Sequence, residues 1–177
     1  CVSPDLKRII ICCRELYENI RIYDFSTGEL IQHFWGHENT VFTLDISADG
    51  SLLASGSADN TARIWDIKTG ICLHVFRGHT DWVEAVRISR DNQYLITGGC
   101  DLKVRVWNIK TEKIIHEFSG CSHTIYAVDI SNDNSTIMVG GNDKVIRLWD
   151  MKSGNLMDTL YGNDYQLYSA HFDRTGK

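Results

Sequence analysis

The 177-residue sequence has one proline, no CxxC pair and no apolar run near the roughly 18 residues that a membrane-spanning helix requires. The scarcity of proline excludes a proline-rich linker, and the lack of a long apolar run excludes a helical integral membrane protein. Basic residues are also few, since 18 Lys and Arg stand against 23 Asp and Glu, giving a net charge of -5. Such a chain has no general attraction for phosphate backbones or anionic lipid, so we expect it to bind neither nucleic acid nor membranes directly.

What the sequence does contain is typical of a globular chain, with 43% hydrophobic and 23% charged residues. Six cysteines without a secretory signal ahead of them indicate free thiols in a reducing compartment, so we expect an intracellular protein, cytoplasmic or nuclear. A zinc site made of Cys100, Cys121 and His123 matches no usual finger or ribbon spacing, and we expect no metal and no cofactor. Because the sequence opens on Cys1 rather than methionine, we interpret it as a processed product or a piece of a longer chain.

The dominant feature of the sequence is an internal repeat of 42 residues. An aromatic residue followed by Asp or Asn recurs at Tyr23-Asp24, Trp65-Asp66, Trp107-Asn108 and Trp149-Asp150. Glycine recurs at Gly36, Gly78, Gly120 and Gly162, and arginine recurs at Arg21, Arg63, Arg105 and Arg147. Three residue types in one register predict a modular architecture with one structural unit per period.

Each unit is predicted to consist of four short β-strands. In the second unit, apolar runs of about five residues alternate with turn residues, and no segment carries a helical stripe. The predicted strands are Val41 to Ile46, Leu52 to Ser55, Ala62 to Asp66 and Cys72 to Phe76. One extra residue breaks the alternation in the first strand of each unit, which predicts a β-bulge there.

Gly-His followed by a closing Trp-Asp, at a period in the low forties, resembles the WD-repeat (WD40) β-propeller family. The first signature stands at Gly36-His37 and Gly78-His79, and the second at Trp65-Asp66, Trp149-Asp150 and the variant Trp107-Asn108. The resemblance covers the whole chain and implies an all-β fold of blades with four antiparallel strands. It divides residues 1–177, a single WD-repeat region, into an incomplete blade (1–34), three full repeats (35–76, 77–118, 119–160) and the start of a further blade (161–177).

Two arrangements of these blades are compatible with the sequence. In one, a last strand from Leu167 to Phe172 completes the incomplete blade and closes a four-bladed ring, which removes two exposed edges. In the other, the chain is an arc of about four blades from a larger propeller, since members of the family usually have seven. We favour the arc, whose open faces would take missing blades, a partner or another copy of the chain.

The resemblance also assigns roles to the repeated polar residues. The family's hydrogen-bonded tetrad would link Trp65 through Ser55 and His37 to Asp59, and Trp107 through Thr97 and His79 to Asp101. A buried indole N–H needs an acceptor, and an imidazole can donate with one nitrogen while it accepts with the other. A catalytic Ser-His-Asp set is the alternative, but its recurrence every 42 residues argues for a structural role.

The outer units depart from the tetrad pattern. Around Trp149, Cys121 stands where histidine is expected and Val139 where serine or threonine is expected, which leaves only Asp143. The unit that ends in Tyr23-Asp24 has isoleucine or cysteine in place of the polar partners, and about two extra residues. We therefore expect the outer blades to be held less tightly than the central two.

The resemblance further implies a partner-binding surface, here called the top face. Its members are the residues in or before the predicted bulges and those before each turn aspartate: Thr40, Phe42, Ala58, Trp82, Glu84, Cys100, Thr124, Tyr126, Asn142, Gln166 and Tyr168. Four exposed aromatic side chains on this rim would form a binding hot spot, with Trp82 as the first candidate. The alternative is that Phe42 and Tyr126 pack against neighbouring blades.

Two charged sets also recur at 42 residues. The four repeated arginines are predicted to be scaffold residues that stack on tryptophan or pair with an adjacent blade, rather than phosphate ligands. The second set is expected to border the central channel and has no evident catalytic pairing: Asp45, Arg87, Asp129 and His171.

These patterns predict a non-enzymatic scaffold that assembles other proteins into a multi-subunit complex through the top face. A propeller enzyme would need a nucleophile-base pair or a metal cluster confined to one repeat, and the sequence shows none. A first alternative is a substrate receptor of a ubiquitin ligase, since Leu53 to Lys68 is similar to the adaptor-docking box of some WD-repeat receptors, although Lys68 stands where arginine is preferred. A second is a subunit of a ribosome-assembly (pre-rRNA processing) particle, where sequences like residues 70–79 also occur.

Overall fold

The computed structural model describes residues 1–12, 20–161 and 164–173. These residues form fifteen β-strands, and they include no helix that is long and apolar enough to span a bilayer. In chain order the strands are β1 (Arg8–Cys12), β2 (Ile20–Asp24), β3 (Leu30–Phe34), β4 (Val41–Ile46), β5 (Leu52–Ser57), β6 (Thr61–Asp66), β7 (Cys72–Arg77), β8 (Val83–Ile88), β9 (Tyr94–Gly99), β10 (Val104–Asn108), β11 (Ile114–Phe118), β12 (Ile125–Ile130), β13 (Thr136–Gly141), β14 (Ile146–Asp150) and β15 (Leu156–Leu160).

Four sheets follow one another along the chain, and within each sheet consecutive strands pair antiparallel. Sheet 1 consists of β1–β3, sheet 2 of β4–β7, sheet 3 of β8–β11 and sheet 4 of β12–β15. Side-chain hydrogen bonds close the turns between first and second strands: Ser47 Oγ donates to Asp49 Oδ1 at 2.6 Å, and Leu52 N–H donates to Ser47 Oγ at 2.9 Å. The predicted all-β fold is confirmed, as an open arc of propeller blades.

Neighbouring sheets share a hydrophobic core, because each inner sheet is apolar on both faces. On one face of sheet 2, Ala62 and Ile64 belong to a cluster that includes Leu95 of sheet 3. On the other face, Trp65 belongs to a cluster with Phe34 of sheet 1. Each fully buried aliphatic side chain contributes about 2 kcal/mol to folding, so these shared cores hold the blades side by side.

A phenylalanine in the last strand of sheets 1, 2 and 3 packs on the tryptophan of the following sheet. Phe34 and Trp65 lie 5.6 Å apart between ring centroids at an interplanar angle of 83°, and Phe76 and Trp107 lie 5.5 Å apart at 62°. Edge-on contacts of this kind stabilise the fold beyond what the buried area of the two rings contributes. The 42-residue spacing of these phenylalanines is visible in the sequence, but their tryptophan partners were not predicted.

The last described segment does not form the strand predicted from Leu167 to Phe172. Residues 164–173 lie beside sheet 4, where Leu167 N–H donates to Gly141 O at 3.0 Å and Phe172 N–H donates to Asp129 Oδ2 at 2.7 Å. Individual hydrogen bonds attach the segment to sheet 4, and the segment forms no β-ladder with it. The four-bladed ring is therefore wrong: in the described ranges, sheet 1 receives no strand from this segment.

Sheet 1 keeps three strands, with a short extension on the side of β1 away from β2. Val2 forms an isolated antiparallel bridge with Ile9. Ser3 Oγ donates to Asp5 Oδ1 at 2.6 Å, which repeats the turn bond of Ser47 and Asp49 in sheet 2. Residues 1–3 thus occupy the place of the end of a first strand.

Candidate protein-interaction face

A hydrogen-bonded chain of side chains ties the loop before β4 to the interior of sheet 2. Trp65 Nε1 donates to Ser55 Oγ at 2.8 Å, Ser55 Oγ lies 2.7 Å from His37 Nε2, and His37 Nδ1 lies 2.7 Å from Asp59 Oδ2. Ser55 and Trp65 have no exposed surface. The hydroxyl therefore serves the indole and the imidazole, and it cannot reach a substrate.

Sheet 3 repeats the same tetrad with threonine in place of serine. Trp107 Nε1 donates to Thr97 Oγ1 at 2.9 Å, Thr97 Oγ1 lies 2.8 Å from His79 Nε2, and His79 Nδ1 lies 2.9 Å from Asp101 Oδ1. Arg105 Nη1 donates to the other carboxylate oxygen, Asp101 Oδ2, at 2.7 Å. Two sheets thus carry the same buried arrangement, as a structural element would and a unique active site would not.

Burial sets the protonation of the tetrad in sheet 2. The pKa of His37 is lowered because burial disfavours the imidazolium more than Asp59 favours it. The neutral ring can donate from Nδ1 to Asp59 and accept the Ser55 hydroxyl at Nε2. Burial also opposes the charge on Asp59, but hydrogen bonds from His37 and Thr61 outweigh it and hold the pKa of Asp59 well below its ordinary value.

Sheet 4 has no such tetrad. Trp149 Nε1 is buried, and it has no hydrogen-bond partner within the described ranges. Cys121 packs against the core cluster of this sheet, and burial raises the pKa of its thiol. Asp143 Oδ2 instead accepts a hydrogen bond from Arg147 Nη1 at 2.7 Å.

Arg63, Arg105 and Arg147 contact residues of the scaffold, and their partners differ in part from the prediction. The Arg63 guanidinium lies 5.8 Å from the ring centroid of Trp65, which confirms the predicted stacking. Among residues 1–12, 20–161 and 164–173, Arg105 and Arg147 form no ion pair with an adjacent blade. Each pairs with the aspartate four residues earlier in its own repeat, because the turn before the third strand brings that carboxylate to the same side of the sheet.

The predicted β-bulges are confirmed at the start of three first strands. The register shifts lie between Val41 and Thr43, between Val83 and Ala85, and between Ile125 and Ala127. Phe42, Glu84 and Tyr126 are therefore the residues left outside the regular pairing, and all three are half-buried.

Backbone hydrogen bonds gather the other top-face residues at the same edge of the sheets. The bonds run from Ala58 N–H to Thr40 O, from Cys100 N–H to Trp82 O and from Asn142 N–H to Thr124 O, each at 2.9 Å. Beyond sheet 4, Tyr168 Oη donates to Gln166 Oε1 at 2.6 Å. The structure thus places the turn residues beside the residues that precede the bulges.

The top-face aromatic side chains form two pairs rather than four independent anchors. Phe42 lies 5.4 Å from Trp82 between ring centroids, and Tyr126 lies 5.3 Å from Tyr168. Trp82 and Tyr168 are 47% and 68% exposed, whereas Phe42 and Tyr126 are half-buried beneath them. The expectation of four exposed aromatics is therefore wrong, because each bulge residue packs against the aromatic of the next module along the arc.

The inner strands carry a charged ladder whose bonding pattern was not predicted. Arg87 Nε donates to Asp129 Oδ1 at 2.7 Å, and Arg87 Nη1 donates to Asp45 Oδ1 at 3.1 Å. Asp45 Oδ2 also accepts the Ile88 N–H at 2.8 Å, yet burial raises the pKa of Asp45. His171 Nδ1 lies 3.7 Å from Asp129 Oδ2. The alternating signs at 42 residues were the available signal. Through Arg87 these charges link the first strands of sheets 2, 3 and 4.

Comparison with known proteins matches this architecture. The profile of the family described as "WD domain, G-beta repeat" matches residues 28–66, 70–108 and 112–150. Each match begins before the last strand of one sheet and ends with the third strand of the next. Among curated proteins, "Protein groucho" of Drosophila melanogaster is 41% identical over 60 residues, which are 34% of this chain and 8% of that protein.

Proposed function

Because the chain belongs to the WD-repeat family, we propose that it is a non-enzymatic, intracellular scaffold that binds protein partners through the top face. A role in protein interaction in general is supported by the WD repeats and by the partial similarity to groucho. The observation that carries the finer proposal is the paired aromatic rim, with Trp82 on Phe42 and Tyr168 on Tyr126. Rigid, partly exposed aromatics give contact area at little entropic cost.

The tetrads support the non-enzymatic part of the proposal. A hydrolase needs its nucleophile beside bound substrate, but Ser55 and Thr97 have no exposed surface. Their hydroxyls are also engaged by an indole and an imidazole in the same way in two sheets. The division into an incomplete blade (1–34), three repeats (35–76, 77–118, 119–160) and the start of a further blade (161–177) is part of this proposal.

The two narrower functions gain no specific support from the structure. The segment Leu53 to Lys68, which is similar to an adaptor-docking box, forms most of β5 and β6. Leu53 and Trp65 within it are fully buried. An adaptor that recognised this segment would meet few of its side chains, so we retain the general scaffold.

The proposal is tested by affinity capture with quantitative mass spectrometry. The wild-type chain is compared with the double variant Trp82→Ala/Tyr126→Ala and with the control Leu73→Ala/Ile115→Ala, which removes exposed apolar side chains from outer strands β7 and β11. We expect the top-face variant to lose partners that the control retains. Unchanged partners in both variants would contradict the top-face assignment. Detection of hydrolase activity in the purified wild-type chain would contradict the non-enzymatic role.

A further inference from the structure

Glu84 is the polar exception in a set of aromatic residues. The bulge positions of the three complete sheets hold Phe42, Glu84 and Tyr126, and Tyr168 stands 42 residues further on. Sheet 3, which carries Glu84, lies between sheet 2 with Phe42 and sheet 4 with Tyr126. Trp82, two residues before Glu84, contributes the exposed ring of the first aromatic pair. The carboxylate therefore stands on the rim between two aromatic pairs.

The charge of Glu84 has no counter-ion within the described part of the chain. Its Oε1 lies 3.9 Å from Cys100 Sγ, a weak donor, and burial raises the pKa of Glu84. Asp81, which is exposed, adds a second negative charge next to Trp82, and its charge also disfavours ionisation of Glu84, contributing to the raised pKa of that carboxyl. An anionic side chain that is half-buried without a counter-ion is costly, and it favours a cation that would neutralise it.

The lysines in the turns before the third strands of sheets 3 and 4 have partners other than Glu84. Lys103 Nζ donates to Ser119 Oγ at 2.6 Å and lies 3.3 Å from Glu117 Oε1. Lys144 Nζ donates to Asp164 O at 2.8 Å. The chain therefore combines exposed aromatic surface with uncompensated negative charge, which is the complement of a basic side chain with an apolar stem.

We propose that the top face binds a partner segment through a lysine or arginine side chain that pairs with Glu84 and lays its aliphatic stem along Trp82 and Phe42. This inference rests on the proposed function and names the chemistry of the partner. An acidic segment or a phosphate-bearing ligand would instead meet the like charges of Glu84 and Asp81.

The test uses fluorescein-labelled pools of five-residue peptides, in which the middle residue is fixed as lysine, arginine, norleucine or glutamate and the others are randomised. Binding to the whole chain is measured by fluorescence polarisation at low and at physiological salt. We expect the lysine and arginine pools to bind about tenfold more tightly than the norleucine pool, and the preference to weaken with salt.

Matched variants locate the effect. Glu84→Gln keeps the shape of the side chain and should abolish the preference for the basic pools, and Glu84→Lys should shift the preference to the glutamate pool. Glu29→Gln, an exposed change in the turn between β2 and β3, should leave the preference intact. A basic preference that survives both Glu84 variants, or a wild-type preference for norleucine or glutamate, would overturn the inference.

The outcome also separates this inference from the general scaffold function. If Trp82→Ala/Tyr126→Ala loses its captured partners while the basic pools show no preference, then the top face binds proteins without a cation and only the present inference fails. If the basic pools bind through Glu84 while the captured partners are unchanged in that double variant, the inference holds and the wider assignment of the rim fails.

Discussion

Sheets 3 and 4 hold their tryptophans in different ways. Trp107 donates its N–H to Thr97 and meets Phe76 edge-on, at an interplanar angle of 62°. Trp149, whose buried N–H has no partner within the described ranges, lies nearly parallel to Phe118, at 4.7 Å and 15°. The hydrogen bond fixes the direction of the indole ring, whereas stacking alone places it flat on its neighbour.

The loops before sheets 3 and 4 also differ in how closely they pack against the tryptophan of their sheet. A methyl group built on Gly78 would lie 3.1 Å from the Trp107 ring, while one built on Gly120 would meet nothing within 4 Å. The loop before sheet 3 therefore packs against Trp107, whereas Gly120 in the loop before sheet 4 has open space around it. Gly162 lies outside the described residues. Buried apolar side chains therefore suffice to form a blade, and the two sheets that carry a tetrad also hold the loop before them close to their tryptophan.

The largest expected effect concerns a contact that both kinds of sheet share. Arg87→Met leaves Asp129, which is 2% exposed, and Asp45 without their cation, so we expect the free energy of unfolding to fall by about 3 kcal/mol. Denaturant titration measures this loss. Arg90→Met, an exposed change in the turn that follows β8, is the control and should be close to neutral. Equal losses would show that the ladder does not couple the sheets.

Removal of the indole N–H tests whether this hydrogen bond stabilises sheet 3 in a way that sheet 4 lacks. Trp107→Phe leaves the hydroxyl of Thr97 without its donor in a buried site, so we expect a loss of about 1–3 kcal/mol in the free energy of unfolding. Trp149→Phe loses ring area but no hydrogen bond, so its loss should be smaller. Asp59→Ala and His37→Ala should resemble the first variant, and Cys121→Ala the second. Losses of the same size in both groups, measured by denaturant titration, would remove the distinction between the sheets.

A double-mutant cycle at Val139 and Cys121 tests whether sheet 4 can accommodate the tetrad that it lacks. Val139→Thr alone places a hydroxyl in the core, and Cys121→His alone adds a ring without its hydroxyl partner, so each single change should destabilise. Together they would link Trp149 to Asp143, and we expect a favourable coupling of about 1 kcal/mol. Unfolding titrations of the four chains give the coupling directly. Strict additivity would mean that sheet 4 does not bring these positions together as sheets 2 and 3 do.

The smallest expected effect is a pH dependence in a tetrad-bearing sheet. The folded-state pKa of His37 lies below its ordinary value of 6.5, so the unfolded chain takes up the proton first. The stability that His37 contributes is therefore complete above about pH 6.5 and is lost as the pH falls below it. The free energy of unfolding, measured at pH 7.5 and 5.5, should fall more in the wild type than in His37→Gln. An equal fall would show that this imidazole does not titrate on unfolding.

Much of the fold could be predicted from the 42-residue period, because the repeated residues act within one unit. The bulges follow from one extra residue in each first strand, whereas the tetrads were expected from the resemblance of the repeat to the WD-repeat family. The parallel contact of Phe118 and Trp149 could not be predicted, because it depends on how two sheets meet. The same holds for the top face, where the exposure of Phe42 depends on Trp82 in the next sheet.

The residue pattern predicted the strands and their turns, since these depend on alternation and on spacing within about forty residues, and the family resemblance implied the polar partners inside each blade. Only the tertiary structure decided that Arg87 binds carboxylates on both neighbouring sheets, that the aromatic rim is paired, and that residues 164–173 lie beside sheet 4 instead of closing a ring. These features arise between blades, where packing geometry and the available hydrogen-bond partners, rather than local pattern, fix which side chains meet.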